Sequence, residues 1–220
     1  MTQVVQQDDA LRPADRVSRR QVDKFTERRA QLAESALLTL SELGYARTSL
    51  REIAQNSEFS HGVLHYYFRD KVDLITHCVR EYKARCVTRY DQIVATATTA
   101  DELVTGFAEG LAQTMVQDAH LHRLWYDLRS QSMFEASFRV DVAEIDSSLE
   151  RMIWRIVSQY GELTGRPTTV SPATAYAIFD GFFQHGLIGH LFGNADAAQN
   201  LRQTVQRTLP TLVDQAPAES

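Results

Sequence analysis

Residues 57–71, SEFSHGVLHYYFRDK, concentrate side chains that can contact a charged or flat surface. Two histidines, two tyrosines, a glycine and a lysine fall within this short stretch. Imidazole and phenol groups form hydrogen bonds with base edges and phosphates, and a lysine ammonium pairs with phosphate. The chemistry that these residues favour is therefore recognition of a partner.

Two short helices joined by a tight turn are predicted to position these groups. The first helix, over residues 49–56, begins with Ser49 and Glu52 at capping-box spacing. The second, over residues 60–67, begins at Ser60, a favourable N-cap residue. This pattern is a helix-turn-helix, and the second helix of such a pair reads DNA in the major groove.

The second helix is predicted to have an inner and an outer face. Leu64 and Phe68 are four residues apart and face inward. The outer side and its flanks then carry groups that reach base edges, thymine methyls and phosphates, namely His61, Gly62, Val63, His65, Tyr66 and Tyr67. Glycine within a helix costs roughly 1 kcal/mol relative to alanine, so Gly62 indicates that a groove wall approaches the backbone closely.

The segment RTSLREIAQNSEFSHGVLHYYFRDKVDL resembles the DNA-binding motif of the tetracycline-repressor (TetR) family of bacterial transcription regulators, over about residues 28–75. The matching positions are Gly44-Tyr45, Thr48-Ser49, Ile53-Ala54, Ser60, Gly62, Leu64, Tyr67-Phe68 and Lys71. The resemblance implies a homodimer whose recognition helices enter successive major grooves of a palindromic operator. It also implies a helical C-terminal domain that binds a small effector and helps to form the dimer.

The resemblance also implies a role for individual residues. Thr48, Tyr66 and Lys71 are expected to contact phosphates. The residues expected to face the bases are His61, Gly62, Val63 and His65, and Ser60 and Tyr67 complete the predicted DNA-binding set.

Two positions depart from the family pattern. Glu58 stands where the family turn usually has glycine, and a non-glycine residue in a left-handed conformation costs about 1 kcal/mol, so a re-shaped turn is expected. His65 stands where the family usually has tyrosine. Since histidine can gain a proton between about pH 5 and 8, a mild pH dependence of DNA affinity is predicted.

The rest of the chain predicts an all-α fold of about nine helices, because no proline lies between Pro13 and Pro167 and no alternating strand pattern is found. The predicted helices span residues 24–43, 49–56, 60–67, 70–96, 100–117, 120–131, 138–160, 172–192 and 196–209. The predicted organisation is a disordered basic arm (1–22), a helix-turn-helix domain (23–70), an effector-binding and dimerisation domain (71–214) and a disordered tail (215–220).

The charge distribution favours DNA binding by the first part of the chain. Residues 1–90 hold 15 Lys and Arg against 12 Asp and Glu, whereas residues 91–220 hold 8 against 16. The basic side chains ahead of the helix-turn-helix are Arg16, Arg19, Arg20, Lys24, Arg28 and Arg29. They form either an arm that reaches a minor groove or phosphates, or a solvated charge run.

An aromatic-rich C-terminal half suggests a pocket for an apolar or aromatic effector. The candidate lining residues are Trp125, Phe134, Phe138, Trp154, Phe179, Asp180 and Phe183. The alternative for the aromatic residues is ordinary core packing. For Asp180, which lies on an apolar helix, the alternative is a satisfied core or interface carboxylate.

The helices at 172–192 and 196–209 are predicted to form the dimer. Gly186, Gly189 and Gly193 permit close approach of backbones, and an apolar stripe is formed by Leu201, Val205, Leu209 and Leu212. The alternative is that these helices pack only within one chain.

No enzyme, metal, cofactor or membrane function is expected. His185 and His190 are five residues apart, which does not bring two imidazoles together, and no phosphate-binding glycine loop or nucleophile elbow is present. Cys78 and Cys86 are too far apart along one helix to form a disulfide, which fits a reducing cytoplasm. The N-terminus lacks a signal-peptide pattern, and the most apolar stretch is too short and polar for a transmembrane span.

We therefore predict a homodimeric, cytoplasmic transcription regulator that binds double-stranded DNA and is released from it by a small effector. By analogy with the family, the regulator is a repressor. The effector is expected to move helix 70–96 and so to change the spacing of the recognition helices, about 34 Å apart in the DNA-binding state. Two alternatives are a constitutive or architectural DNA-binding protein without an effector, and a helical carrier of small ligands.

Overall fold

The computed structural model describes residues 13–44 and 48–214, and this part of the chain is helical, as predicted. Its nine α-helices are α1 (Pro13–Leu43), α2 (Leu50–Gln55), α3 (His61–Tyr67), α4 (Lys71–Thr96), α5 (Ala100–Gln117), α6 (Ala119–Gln131), α7 (Arg139–Thr164), α8 (Pro172–Leu191) and α9 (Ala197–Thr208). Short 3-10 helices span Ala136–Phe138 and Leu209–Leu212. The only strand-like pairing in these residues is an isolated antiparallel bridge between Thr168 and Val213.

Helix α1 is longer than the sequence predicted. It begins at Pro13, so residues 13–22 are helical and the prediction of a disordered arm over residues 1–22 is wrong for that part. Proline at the first position of a helix has its backbone preset for helix and needs no hydrogen-bond acceptor there. Residues 1–12 of the predicted arm, and the predicted disordered tail 215–220, lie outside the described residues.

The N-terminal unit consists of α1, α2 and α3, packed around a small apolar core. Gly44 ends α1 with a φ of 75°, the left-handed conformation that glycine adopts readily. Leu40 of α1, Ile53 of α2 and Leu64 of α3 are completely buried in this core. We call this unit the reading head.

Helices α4 to α9 form a second, larger helical layer, which we call the body. Helix α4 packs on α1 at the reading head and on α7 within the body, and α9 packs on α5 and α8. Fully buried aromatic rings, among them Phe107, Trp125 and Phe179, fill the body. Helix α4 therefore connects the body to the reading head.

No helix in the described part combines the length and the apolar character that crossing a bilayer requires.

Candidate nucleic-acid interface and effector cavity

Local hydrogen bonds fix the start of both helices of the helix-turn-helix. The Ser49 hydroxyl accepts a hydrogen bond from the Glu52 amide at 3.2 Å, and the Glu52 carboxylate accepts one from the Ser49 amide at 2.7 Å. The Ser60 hydroxyl accepts from the Val63 amide at 3.3 Å. Both predicted N-caps are confirmed, and the Ser60 hydroxyl hydrogen stays available for a phosphate.

The turn between α2 and α3 accommodates Glu58 without a left-handed residue. None of the described non-glycine residues has a positive φ, so Glu58 avoids the strained left-handed conformation. Polar side chains close the turn instead: the Asn56 amide group donates to the Glu52 carbonyl at 2.9 Å, and the Phe59 amide donates to the Ser57 hydroxyl at 3.3 Å. Phe59 is buried and anchors the turn to the core.

Helix α3 buries one face and exposes the other, as predicted. Leu64 and Phe68 are buried, whereas the Tyr66 side chain is 72% exposed. His61, Gly62 and His65 are also exposed. The exposed groups form a continuous surface of imidazole, phenol and bare backbone.

Packing within the described part of the chain does not require a glycine at position 62. A Cβ atom built at this position meets no described atom within 4 Å. Since glycine weakens a helix, the absence of a side chain favours a partner outside the chain that approaches the backbone.

Val63 and Tyr67 are less exposed than predicted. Both are half-buried and pack against the core, and the Tyr67 ring stacks on Phe25 of α1 with 4.7 Å between centroids. The expectation that Val63 points fully outward is therefore corrected, because its position next to Leu64 turns part of it toward the core.

Thr48 is 3% exposed, and its hydroxyl donates to the Gly44 carbonyl at 2.6 Å. A phosphate accepts hydrogen bonds only, so this hydroxyl would have to release Gly44 before donating to one. Without DNA the Thr48 hydroxyl therefore stabilises the end of α1, and its phosphate contact stays a prediction.

Three cationic residues lie beside α3. Lys71, the first residue of α4, is half-buried, and burial lowers its pKa while Glu135, Glu52 and Asp127 act in the opposite direction. The side chain of Arg69 is 87% exposed, and Arg51 on α2 is exposed too. Sequence reasoning missed both arginines, although basic residues next to a recognition helix are the signal for phosphate contacts.

A cavity inside the body contains some of the predicted effector residues. It has a volume of about 50 Å³, room for a few water molecules. Helices α4 to α8 supply its lining: Lys83, Cys86, Tyr90, Leu111, Thr114, His122, Trp125, Tyr126, Leu149, Met152, Ile153, Tyr176, Phe179, Asp180 and Phe183. An organic ligand would have to displace some of these side chains on entry.

The predicted effector residues divide into two groups. Trp125, Phe179, Asp180 and Phe183 line the cavity. The buried Phe138 and the half-buried Trp154 pack elsewhere in the core. Phe134 was predicted wrongly, because it lies in the turn after α6 and is 81% exposed.

Asp180 has partners within the chain. Its carboxylate accepts hydrogen bonds from the Tyr126 hydroxyl at 2.9 Å and from the Arg129 guanidinium at 2.5 Å. Arg129 also pairs with Asp146 at 3.3 Å. The geometry favours the interpretation of Asp180 as a satisfied core carboxylate.

Sequence reasoning missed a buried polar cluster on the cavity wall. The Lys83 ammonium lies 3.1 Å from Nδ1 of His122, and the Tyr82 hydroxyl lies 2.8 Å from Nε2 of the same ring. Burial lowers the pKa of Lys83 to about 8 and holds the pKa of His122 well below its usual value. The imidazole is thus neutral at pH 7, and its Nδ1 accepts a hydrogen bond from an ammonium that is still mostly protonated.

The predicted dimer helices pack differently from the expectation. The stripe formed by Leu201, Val205, Leu209 and Leu212 is buried within the chain. A Cβ built at Gly186 would lie 3.0 Å from the sulfur of Met115 and 3.6 Å from Leu201. For these residues the alternative of packing within one chain is correct, because α9 needs this face to cover α5.

Another face of α8 remains uncovered in the single chain. Within this helix the polar residues Gln184 and His185 are also exposed. From residue 177 onward, the exposed residues that are small or apolar lie four, seven and three positions apart: Ala177, Gly181, Ile188 and Leu191, followed by Phe192 at the end of the helix. Phe192 is 86% exposed. We call these five residues the α8 stripe.

Among the described residues, no group of three or more His, Cys, Asp or Glu side chains is arranged to hold a metal ion.

Comparison with known proteins relates the chain to bacterial regulators. Residues 32–78 match the model of the family described as bacterial regulatory proteins, tetR family. The HTH-type transcriptional repressor KstR2 of Mycolicibacterium smegmatis is 24% identical over 63% of this chain. The HTH-type transcriptional regulator BetI of Paraburkholderia phymatum is 31% identical over 51% of it. The matched part spans 66% and 58% of the length of these curated relatives.

A solved structure extends the similarity to most of the fold. The transcriptional regulator FadR from Bacillus subtilis, in complex with stearoyl-CoA, superposes with a TM-score of 0.68 and covers 81% of this chain and 96% of its own. The sequence identity is 16%, so this similarity concerns the fold.

Proposed function

Because the chain is a member of the tetracycline-repressor family of bacterial regulatory proteins, we propose that it is a cytoplasmic transcription regulator. It binds a palindromic operator as a homodimer, represses transcription, and is released by a small apolar or aromatic effector. The observation that carries the proposal is that helix α3 has one buried face and one exposed face. Leu64 and Phe68 hold the helix on the reading head, while His61, Gly62 and Tyr66 are presented to a partner.

Different residues in and around α3 are suited to base contacts and to phosphate contacts. Its exposed imidazoles offer hydrogen bonds to base edges in the major groove. Ser60 and Tyr66 carry hydroxyls, and Arg51, Arg69 and Lys71 carry charges, that can contact the phosphates on either side. Phosphate contacts set the position of the helix, and base contacts select the sequence.

The dimer is proposed to form through the α8 stripe. One recognition helix contacts too few base pairs to select a site in a genome, so two copies are needed. Gly181, whose built Cβ meets no described atom within 4 Å, permits close approach of a second helix at the middle of the stripe. A large exposed apolar residue such as Phe192 is typical of an interaction surface.

The effector is proposed to bind in the cavity between α4 and α8. A protein of similar fold supports the presence of a ligand site, since FadR was crystallised in complex with stearoyl-CoA. Two helices run from this cavity to the reading head. Helix α4 carries Lys83 at the cavity and Asp73 at an ion pair with Arg29 of α1. Helix α6 carries Trp125 at the cavity and packs on α1.

This arrangement supplies a two-state switch. An effector that enlarges the cavity moves α4 or α6, and either movement re-orients the reading head. A preference of about 2.7 kcal/mol for the state that does not match the operator weakens DNA binding roughly 100-fold.

The proposal is tested by selecting random double-stranded DNA with the purified protein at about 150 mM salt. A Gly62→Asp, Tyr66→Ala double variant is the control, since both positions are exposed and neither change disturbs the core. Recovery of one palindrome by the wild type only is expected. Recovery of nothing above the control favours the ligand-carrier alternative, and binding without any ligand response favours a constitutive regulator.

A further inference from the structure

The cavity contains a buried cation that no anionic group of the described residues pairs with. Lys83 is 6% exposed, and no carboxylate of this part of the chain lies within ion-pair distance of its ammonium. Its one hydrogen-bonding contact there is Nδ1 of His122. An ammonium has three hydrogen atoms to donate, and a buried charge is strongly disfavoured unless it is paired.

A second donor on the same wall also lacks a partner among the described residues. The indole nitrogen Nε1 of Trp125 is buried and meets no hydrogen-bond acceptor in that part of the chain. The Lys83 ammonium lies 5.4 Å from the centroid of this indole ring. Indole N–H groups are donors only, and buried ones usually find an acceptor.

The acidic and aromatic groups of the cavity do not supply what is missing. The Asp180 carboxylate is already held by Tyr126 and Arg129. His122 is neutral and uses both ring nitrogens, on Lys83 and Tyr82. The remainder of the wall is mainly apolar, with Leu111, Leu149, Met152, Ile153, Phe179 and Phe183.

Two donors on a largely apolar wall, the Lys83 ammonium and the Trp125 indole N–H, are therefore left without an anionic acceptor among the described residues. We propose that the cavity binds an apolar organic acid, whose carboxylate pairs with the Lys83 ammonium and accepts a hydrogen bond from Nε1 of Trp125. A carboxylate satisfies both requirements at once, because it is an anion that accepts on two oxygens. An alcohol supplies no charge, and an amine repels the lysine.

The position of Lys83 also indicates how the acid enters. Lys83 lines both the cavity and an open groove between α4 and α7, where Arg80, Glu144, Ser147 and Arg151 lie. Lys83 thus lies between this groove and the apolar interior. An acid that enters from the groove passes Arg80 and Arg151, then pairs with the buried ammonium and places its apolar part among the aromatic side chains.

This inference rests on the proposed function only in treating the cavity as the effector site, and its test needs no DNA. Thermal unfolding is followed by dye fluorescence with butyrate, octanoate, benzoate and phenylacetate, and with the alcohol of the same carbon skeleton for each. We expect at least one acid to raise the melting temperature in proportion to the logarithm of its concentration, and its alcohol to do so at least ten-fold less effectively.

Two variants distinguish the contribution of the carboxylate contacts to acid binding from the contribution of apolar packing. Lys83→Met keeps an unbranched apolar stem and removes the charge, and Trp125→Phe keeps a ring and removes the N–H. Each is expected to weaken acid binding roughly ten-fold or more, with little effect on the alcohol. Lys24→Met, on the exposed face of α1, and Trp154→Phe, outside the cavity, are matched controls expected to bind the acid normally.

The outcomes distinguish this inference from the proposed function. Equal stabilisation by acids and alcohols, no stabilisation by any acid, or unchanged acid binding by Lys83→Met would overturn the acid site, whatever the DNA selection yields. Acid binding that depends on Lys83, in a protein that selects no DNA, would support the site and reject the regulator.

Discussion

Arg29 of α1 and Asp73 of α4 form an ion pair of 2.7 Å across the junction between the reading head and the body. Asp73 also accepts a hydrogen bond from the Arg69 amide at 3.1 Å, next to the end of α3. Both side chains of the ion pair are largely shielded from solvent, at 28% and 18% exposure. Asp73 thus ties both α1 and the segment that follows α3 to α4, the helix that carries Lys83 at the cavity.

Replacing Asp73 by asparagine is expected to lower the free energy of unfolding by roughly 1–3 kcal/mol, because the Arg29 guanidinium keeps its burial and loses its anion. Urea unfolding measures the change. The matched control is Asp91→Asn, which breaks the more exposed Asp91–Arg155 pair and is expected to cost less than about 1 kcal/mol. Equal losses in the two variants would contradict a special role for the junction.

Gly62→Ala is expected to have opposite effects on stability and on DNA binding. Alanine stabilises a helix by roughly 0.5–1 kcal/mol relative to glycine, and the added methyl group has free space among the described residues. On DNA the same methyl group would meet the groove wall, and affinity for the selected palindrome is expected to fall about ten-fold or more. A more stable variant with unchanged DNA affinity would show that α3 does not approach DNA at this point.

Because Lys83 is buried, the free energy of unfolding of the wild type relative to that of Lys83→Met is expected to rise with pH. Its pKa is about 8 in the folded chain, against an ordinary value of 10.5, so above pH 8 the unfolded chain binds the extra proton. Stability relative to Lys83→Met should therefore rise between pH 8 and 10.5, by up to roughly 2–3 kcal/mol over the whole interval. Below pH 8 the difference should be constant.

Urea unfolding of the wild type and Lys83→Met at pH 7.5 and 9.5 measures this difference. The comparison removes the contributions of other groups, such as the buried Cys78 and Tyr90, whose pKa values are raised by burial. The groups that face Lys83 remain in both proteins: His122, Tyr82, Asp180, Asp146 and Arg129. Parallel pH curves for the two proteins would show that the lysine is not buried as described.

Phe192→Glu is expected to convert the dimer to a monomer and to lower operator affinity with it. A carboxylate at the α8 stripe would be buried next to apolar residues of the second copy, which is strongly unfavourable. Sedimentation equilibrium measures the association state. Phe134→Glu is the matched control, since this ring is similarly exposed but lies outside α8. Dissociation by both variants, or by neither, would count against the α8 stripe as the interface.

Local patterns in the sequence predicted the reading head well. The caps at Ser49 and Ser60 and the buried pair Leu64 and Phe68 depend on residues a few positions apart, where spacing determines geometry. The hydrogen bond from the Thr48 hydroxyl to the Gly44 carbonyl was not predicted, because the two groups become close only once the end of α1 turns.

The body was harder to predict because its site combines distant parts of the chain. Lys83 and His122 meet across 39 positions, and neither residue stands out within its own helix. Phe134 and Trp125 are both aromatic residues in the C-terminal half, yet one is exposed and the other buried. Likewise, the apolar pattern of α9 was correct, but spacing alone does not say whether such a face covers α5 or a second copy.

The most direct measurement of the central claim is a hydroxyl-radical footprint of the wild type on the selected palindrome at about 150 mM salt. We predict two protected blocks, related by the dyad of the site, whose centres lie about 10 base pairs or a multiple of one turn apart. The Gly62→Asp, Tyr66→Ala variant should leave no footprint at the same concentration. A single block without symmetry, or the same protection by the double variant, would contradict recognition by paired α3 helices.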